Sequence, residues 1–207
     1  MSVGNEPNKK QSGDGIAVLI LAAGSSSRLG QSKQLLEVSE VPLLRKTVLT
    51  ALDADTSRVF VVLGHNATQH QQIIQDLNID IMHHPGWHEG MGSSLKAGVS
   101  HILENQAHTQ AILVLVCDQP FITTEHLNTL VSSYKASGAP IVASAYASTT
   151  GVPALFDKNK FAELLELENA QGAKKILEKN IQGVLSVEFP EGAIDIDTPA
   201  DYKNLTR

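Results

Sequence analysis

The chain alternates between short apolar runs, which are typical of buried strands, and longer amphipathic stretches with helical spacing. The apolar runs predict strands near residues 16–21, 58–63, 79–82, 111–116, 141–145 and 184–188. Apolar residues at i, i+3 and i+4 predict helices over 43–53, 67–77, 93–105, 123–137, 158–166, 172–180 and 199–205. Strands that alternate with helices predict an α/β, Rossmann-like domain of three layers with a mainly parallel sheet.

Length and organisation indicate one folded unit. The chain has 207 residues, enough to bury a sizeable core without disulfides or structural metal. Residues 1–14 are polar and contain no apolar segment, so we expect a disordered tail there. No composition break or repeat divides the rest, and residues 15–207 are therefore predicted to form a single domain.

Charge and cysteine content restrict the partners. The formal net charge of −6 and the pI near 5.7 argue against a nucleic-acid partner, because such proteins carry a basic face. Cys117 is the single cysteine, which excludes an intramolecular disulfide and fits a reducing compartment. The longest apolar runs are too short to span a membrane. We therefore expect a cytoplasmic protein without membrane contact.

The segment after the first predicted strand is rich in small residues and carries two cations. It reads Leu21-Ala22-Ala23-Gly24-Ser25-Ser26-Ser27-Arg28, and Lys33 follows. Small residues let backbone N–H groups approach phosphate oxygens, and Arg28 and Lys33 supply compensating charge. The spacing matches neither GxGxxG nor GxxxxGK[ST]. It predicts a polyphosphate site of another kind, the alternative being a simple Gly/Ser turn.

Two aspartates are candidates for a metal site. Asp118 directly follows the strand predicted at 111–116, and ligands bind at the carboxyl ends of parallel strands. Mg²⁺ prefers oxygen ligands and takes one or two carboxylates. Near the C-terminus, the alternation in 194–197 predicts an extended segment with Asp195 and Asp197 on one side and both isoleucines on the other. For Asp118 and Asp197 the alternative is a turn or helix-capping role.

The pattern LAAGxSxRxGxxK at 21–33, with Cys117-Asp118-Gln119-Pro120 and Asp197-Thr198-Pro199, resembles the MobA-like nucleotidyltransferases, in particular the molybdenum cofactor cytidylyltransferase branch. The resemblance spans about residues 16–205 and implies a fold like that of the nucleotide-diphospho-sugar transferases. It also implies transfer of CMP from CTP to the terminal phosphate of molybdopterin, with Mg²⁺ and release of pyrophosphate. A molybdenum hydroxylase apoenzyme is an implied further partner.

The same resemblance implies roles for individual residues. Arg28, Lys33 and Asp118 would be catalytic, and Asp118 with Asp197 would hold Mg²⁺. Nucleotide contacts are implied for Leu21, Ala22, Ala23, Gly24, Ser25, Ser26, Ser27, Arg28, Lys33, His84, Ser94 and Asp118. The choice of CTP follows from Leu-Ala-Ala-Gly, since the guanylyl branch has Leu-Ala-Gly-Gly and Ala23 adds bulk where a purine needs room.

The segment 83–98 resembles the part of the family that lies against base and ribose at the start of a helix. We expect free N–H donors and the Ser94 hydroxyl there. His84 stands where the family usually has asparagine, which puts its contact in question. A histidine metal site is disfavoured, because the adjacent His83 and His84 point to opposite faces of an extended segment.

The region implied to cover the acceptor departs from the family at Val152 and at residues 168–171. Other readings therefore stay open. The chain could use GTP or another phosphorylated acceptor, such as a sugar phosphate. It could also be a non-catalytic protein that binds and delivers a nucleotide or the pterin cofactor. Release of pyrophosphate separates an enzyme from a carrier.

Overall fold

The structure of the protein is a computed structural model that describes residues 15–205. The tail predicted at 1–14 lies outside the described residues, as do residues 206 and 207. No helix within 15–205 has the length and apolar character needed to cross a membrane.

A seven-stranded sheet forms the centre of the molecule, in the order β5-β4-β1-β6-β8-β7-β9. Its strands are β1 (Ile16–Ala22), β4 (Arg58–Leu63), β5 (Asp80–His83), β6 (Ala111–Val116), β7 (Ile141–Tyr146), β8 (Thr149–Asp157) and β9 (Val184–Glu188). β2 (Glu37–Val38) and β3 (Val41–Pro42) form a separate small hairpin. β1 pairs in parallel with both β4 and β6, so the expected mainly parallel sheet is confirmed.

Helices cover both faces of the sheet and give the three layers. They are α1 (Leu43–Leu52), α2 (Ala67–Gln72), α3 (Met91–Asn105), α4 (Thr124–Ser137), α5 (Phe161–Leu165), α6 (Lys174–Lys179) and α7 (Pro199–Leu205). Alternate β1 residues belong to different cores: Val18 packs in the cluster that includes α1 and α4 residues, and Leu19 in the one with α3, α5 and α6 residues. β1 is buried at every position, as a central parallel strand requires.

The sequence did not predict β8. This strand runs antiparallel between β6 and β7 and carries Pro153, a residue that usually marks a strand edge or a break. β7 and β8 are joined through Ala147 and Ser148, both with positive φ (48° and 60°). Hairpin turns with positive φ usually contain Asn or Gly, which makes them recognisable in a sequence. With neither present, the hairpin has no sequence signal.

Helix boundaries differ from prediction mainly at α2 and α3. α2 ends at Gln72, and the chain continues in tight turns in which Ile74 N–H donates to Gln71 O and Leu77 N–H to Ile74 O. α3 begins at Met91, two positions before the predicted start. The helix predicted over 158–166 is a 3₁₀ turn, Lys158–Lys160, followed by α5.

Candidate functional site

A cleft of about 340 Å³ opens at the carboxyl ends of β1 and β6. It is lined by Leu21, Ala22, Ala23, Gly24, Ser25, Ser26, Ser27, Arg28, Lys33, Gln34, Trp87, His88, Gly90, Met91, Ser94, Val116, Cys117, Asp118 and Asp197. The structure therefore brings together every site residue expected from the sequence except His84. The segments that meet here are far apart along the chain and are joined by the sheet.

In the loop after β1, residues 22–28, the first three carbonyl groups accept hydrogen bonds, whereas the following N–H groups have no acceptor among the described residues. Gln34 Nε2 donates to Ala22 O and Gly24 O, and His65 N–H donates to Ala23 O. Within residues 15–205, no protein acceptor takes the backbone N–H groups of residues 24–28. Ser26 has a φ of 53°, in the left-handed region, which turns the loop. A run of unpaired N–H groups of this kind binds anions such as phosphate.

Lys33 lies between the two predicted metal ligands. Its Nζ is 3.0 Å from Asp118 Oδ2 and 2.8 Å from Asp197 Oδ1. Arg28 Nη2 reaches the other Asp197 oxygen at 2.7 Å. The Lys33 side chain is 14% exposed, against 71% for Arg28, so the lysine is fixed within the site while the arginine extends into solvent.

Packing of Ile196 places Asp197 beside the loop. Ile196 is 1% exposed in a cluster with Leu29, Leu36 and Val38, and its N–H donates to Asp118 O at 3.0 Å. The C-terminal segment is thereby fastened to the end of β6. The expected alternation holds only in part, because Ile194 is 47% exposed while Ile196 is buried. An irregular segment after the 3₁₀ turn Pro190–Ala193 replaces the extended strand on which that alternation depended.

Neither aspartate caps a helix. Asp201, inside α7, accepts the N–H groups of Asp197 and Thr198, and Thr123 caps α4 by accepting from His126 N–H. The carboxylates of Asp118 and Asp197 instead contact the Lys33 ammonium. Within the described residues, no capping hydrogen bond supports the helix-capping alternative for these two aspartates.

The charges in this cluster shift one another. Burial opposes the charged form of Lys33, but Asp118 and Asp197 outweigh it and raise the lysine pKa above its ordinary value. The Lys33 hydrogen bond lowers the pKa of Asp197. Partial burial, with the nearby carboxylates of Asp118 and Asp197, raises the pKa of Asp195 to about 6. The site thus contains more negative charge than its own cations neutralise.

The donor set fits a hard divalent cation. Oxygens of Asp118 and Asp197 contact the same ammonium nitrogen, which shows that both carboxylates already converge around one positive charge. Mg²⁺ accepts such a pair and completes its shell with water and substrate phosphates. A metal ion and the Lys33 ammonium cannot occupy that point together. The lysine would have to move toward bound phosphate when metal enters.

The start of α3 differs from expectation. Two of its first N–H groups are not free, because Gly92 N–H and Ser93 N–H both donate to Asn169 O. A Cβ at Gly90 or Gly92 would overlap the same 168–171 segment, so glycine is required at both positions. Asn169 also accepts from Lys96 Nζ at 2.6 Å. Residues 168–171, which depart from the family pattern, thus pack against the start of α3 and support it.

His84 has a different position from the one expected. Its Nε2 lies 2.7 Å from Ser93 Oγ, and it is not among the described residues that line the cleft. Ser94 does line it and is 4% exposed. Sequence reasoning missed Gln34, Trp87, His88 and Met91 as cleft residues. Trp87 and Met91 stood inside the recognised 83–98 segment, whereas Gln34 gave no signal beyond its place next to Lys33.

The sequence is similar to known nucleotidyltransferases and related proteins. The family model for the MobA-like NTP transferase domain matches residues 18–184. The chain is 27% identical over 188 residues to molybdenum cofactor cytidylyltransferase of Escherichia coli K12, covering 90% of this chain and 93% of that protein. It is 28% identical over 205 residues to purine catabolism protein PucB of Bacillus subtilis 168, covering 91% and 95%.

Solved structures of other proteins have the same fold. The crystal structure of a homologue of Mycobacterium tuberculosis Rv0371c, from Mycobacterium sp. strain JC1, has a TM-score of 0.79 and 29% identity, covering 93% of this chain and 95% of that one. Molybdopterin-guanine dinucleotide biosynthesis protein A from Archaeoglobus fulgidus shares the fold, with a TM-score of 0.66 and 17% identity, covering 91% and 96%. The match of the family model to most of the chain shows that the protein belongs to the MobA-like NTP transferase family and is a nucleotidyltransferase.

Proposed function

We propose that the protein transfers CMP from CTP to the terminal phosphate of molybdopterin, with Mg²⁺ as cofactor and release of pyrophosphate. One observation carries the proposal: the free N–H groups of residues 24–28, the Lys33 ammonium and the carboxylates of Asp118 and Asp197 line one cleft. Phosphate-binding and metal-binding groups meet there, as nucleotidyl transfer requires. A cytoplasmic location is part of the proposal.

The chain's own residues would align the two substrates. The loop N–H groups bind the nucleotide's phosphates. Arg28, whose side chain is long and exposed, contacts the solvent-facing phosphate oxygens. Lys33 moves from the carboxylates to the phosphates and neutralises charge as the bond to pyrophosphate breaks. A Mg²⁺ ion held by Asp118 and Asp197 would neutralise charge on the α-phosphate and the acceptor phosphate.

No covalent intermediate is needed. An oxygen of the acceptor's terminal phosphate is already a nucleophile, and it attacks the α-phosphorus in line with the departing pyrophosphate. Cys117 is unsuited to attack, because burial raises its pKa to about 12 and keeps the thiol protonated. The protein contributes position and charge rather than a reacting side chain.

The preference for CTP is the most specific part of the proposal. Ala23 is 5% exposed, lines the cleft and is fixed by the bond from His65 N–H to its carbonyl. Its methyl group cannot move aside for a purine. Ser94 also lines the cleft, and its hydroxyl would bond to the edge of a pyrimidine base. The related cytidylyltransferase of Escherichia coli supports the same choice.

We infer that the acceptor binds over the other half of the sheet. A groove of about 710 Å³ is bounded by the β7–β8 turn, α6 and β9, and it includes Tyr146, Lys174 and Glu188. Tyr146 lines this groove, and burial together with the carboxylate of Asp195 raises its pKa. Lys174 is a cation suited to a phosphorylated acceptor.

The test is a substrate screen. The purified protein is incubated with each of the four NTPs, Mg²⁺ and molybdopterin, and pyrophosphate is measured. We expect release with CTP that requires both Mg²⁺ and molybdopterin, and the product should carry CMP. Asp118→Asn, which keeps side-chain size, serves as the matched inactive control.

Other outcomes identify the alternatives. Release with GTP in place of CTP would overturn the cytidylyl assignment and leave nucleotidyl transfer intact. Release only with a sugar phosphate would change the acceptor. Tight nucleotide or pterin binding without any pyrophosphate would favour a carrier and refute catalysis.

A further inference from the structure

Gln34 is a buried amide at the floor of the cleft whose hydrogen-bonding capacity is fully used. It is 1% exposed. Its Nε2 donates to Ala22 O at 3.1 Å and to Gly24 O at 3.0 Å. Its Oε1 accepts from Ser32 Oγ at 2.7 Å and from Ser26 Oγ at 3.3 Å. One side chain therefore holds two carbonyls of the phosphate loop and one of its hydroxyls.

The direction of these bonds is fixed by chemistry. Carbonyl oxygens only accept, so the Gln34 NH₂ group must face Ala22 and Gly24, and its oxygen must face the two serines. Ser32 then donates its single proton to Gln34 Oε1. The Ser32 oxygen must accept from His70, whose Nε2 is in contact with it. His70 is thus the Nε2–H tautomer, and it is the first donor in the series of hydrogen bonds from His70 through Ser32 to Gln34.

His70 is suited to that role because it stays neutral. It is fully buried on α2, and burial together with the neighbouring His65 lowers its pKa to about 4. Its Nδ1 is buried without a hydrogen-bond partner within the described residues. At neutral pH it therefore carries one proton, and that proton lies on the nitrogen that faces Ser32.

The loop needs this support because it can turn its peptide units over. Gly24 has no Cβ, and one placed there would meet no protein atom within 4 Å, so side-chain packing does not restrain the peptide after it. The peptide before it is held by the bond from His65 N–H to Ala23 O. Rotation of the peptide after Gly24 would point its carbonyl into the cleft and withdraw the Ser25 N–H. A carbonyl oxygen facing a phosphate repels it.

We propose that Gln34 is a positioning residue for the nucleotide's phosphates, oriented by Ser32 and His70, which keeps the carbonyls of Ala22 and Gly24 out of the cleft so that the loop N–H groups face the phosphates. The proposal rests on the proposed use of a nucleotide. It assigns a function to a buried histidine and two polar residues that touch no reacting atom.

The test compares binding of two probes, Mg·CTP and inorganic tripolyphosphate, by calorimetry. Gln34→Glu keeps the side-chain shape but replaces the donating NH₂ with an oxygen that repels both carbonyls. We expect its dissociation constants for both probes to rise at least tenfold. Ser32→Ala removes the group that orients Gln34 and should weaken both by about threefold or more.

Gln106→Leu is the matched control. This residue is also a glutamine with a buried amide, but its Nε2 donates to Ser57 Oγ, which donates to Ile16 O at the start of β1, at the end of the strands opposite the cleft. It should lose thermal stability and bind both probes within twofold of the wild type. A general structural defect would affect Gln106→Leu and Gln34→Glu alike, whereas a positioning role affects only the latter.

The outcomes separate this inference from the proposed function. A folded Gln34→Glu protein that binds tripolyphosphate within twofold of the wild type overturns the positioning role. If Gln34→Glu does not fold, Ser32→Ala decides by the same measurement, with unchanged binding counting against the proposal. Wild-type protein that binds tripolyphosphate but transfers no nucleotide would refute the proposed function and leave this inference standing.

Discussion

Lys33→Met tests whether the lysine both stabilises the folded protein and takes part in the reaction. Methionine keeps most of the aliphatic stem and removes the ammonium. In the structure that ammonium makes two ion-paired hydrogen bonds, at 2.8 and 3.0 Å, from a side chain that is 14% exposed. The substitution leaves the carboxylates of Asp118 and Asp197 facing each other without a cation.

The magnitude follows from these contacts. A hydrogen bond to a charged partner contributes about 1.5–3 kcal/mol, so the two together are worth about 3–6 kcal/mol before opposing terms. Release of a buried ammonium and rehydration of the carboxylates, which are 26% and 31% exposed, recover part of this. We expect the free energy of unfolding at pH 7 to fall by about 2 kcal/mol. Turnover should fall by about 100-fold or more, on the order of 3 kcal/mol in transition-state stabilisation.

Metal binding should change in the opposite direction. Without the ammonium, two unneutralised carboxylates attract a divalent cation, so the affinity for Mn²⁺ in the absence of nucleotide should rise at least tenfold. Denaturant unfolding, steady-state kinetics and Mn²⁺ calorimetry measure the three quantities. Arg28→Ala is the control: its exposed ion pair with Asp197 should contribute under about 1 kcal/mol to stability, while turnover still falls about 100-fold.

The reasoning would be refuted if Lys33→Met left Mn²⁺ affinity and turnover both unchanged. A fall in turnover with no gain in metal affinity would show that the lysine does not compete with the metal. An effect confined to KM would reduce its role to ground-state binding.

Three further predictions follow from the site and its surroundings. Asp118→Asn and Asp197→Asn should each remove most Mg²⁺-dependent turnover with the fold intact by circular dichroism, and near-normal turnover would exclude that residue from the metal site. Ala23→Gly should raise use of GTP more than it lowers use of CTP in a competition assay, by an amount within the ~1–3 kcal/mol that one methyl group supplies; wild type that prefers GTP would contradict this. His70 has a pKa of about 4 in the folded protein, below its ordinary 6.5, so the unfolded chain binds more protons between these values and stability falls as pH drops from 6.5 to 4, by about 3 kcal/mol. His70→Gln should reduce that loss in urea unfolding across the range, and an unchanged pH slope would count against it.

Local rules were sufficient for most of the fold. Buried apolar runs predicted β4 and β6 with the observed bounds, because parallel strands covered on both faces are apolar throughout. The small residues after β1 predicted a phosphate loop, since that chemistry resides in consecutive backbone N–H groups. The position of Asp118 in the cleft was predictable because it follows a predicted strand, and its role as a metal ligand stays a prediction.

The sequence could not reveal features that depend on distant contacts. β8 has Gly151 and Pro153 within it and a turn without Asn or Gly, so only its pairing with β6 and β7 makes it a strand. The start of α3 has the sequence of an open helix N-terminus. Its donors are taken by Asn169, which lies more than 70 positions away along the chain.

The sequence by itself determined the α/β architecture, the small-residue loop after β1 and the identities of the charged residues, because each is encoded in local spacing and side-chain chemistry. Tertiary structure decided which of those charges meet. Asp197 reaches Lys33 because Ile196 is buried beside Leu29 and bonded to the end of β6. Gln34 holds the loop only because its amide is enclosed where water cannot replace its bonds. Burial and long-range hydrogen bonds, which a local sequence pattern does not show, bring the candidate residues together in one cleft.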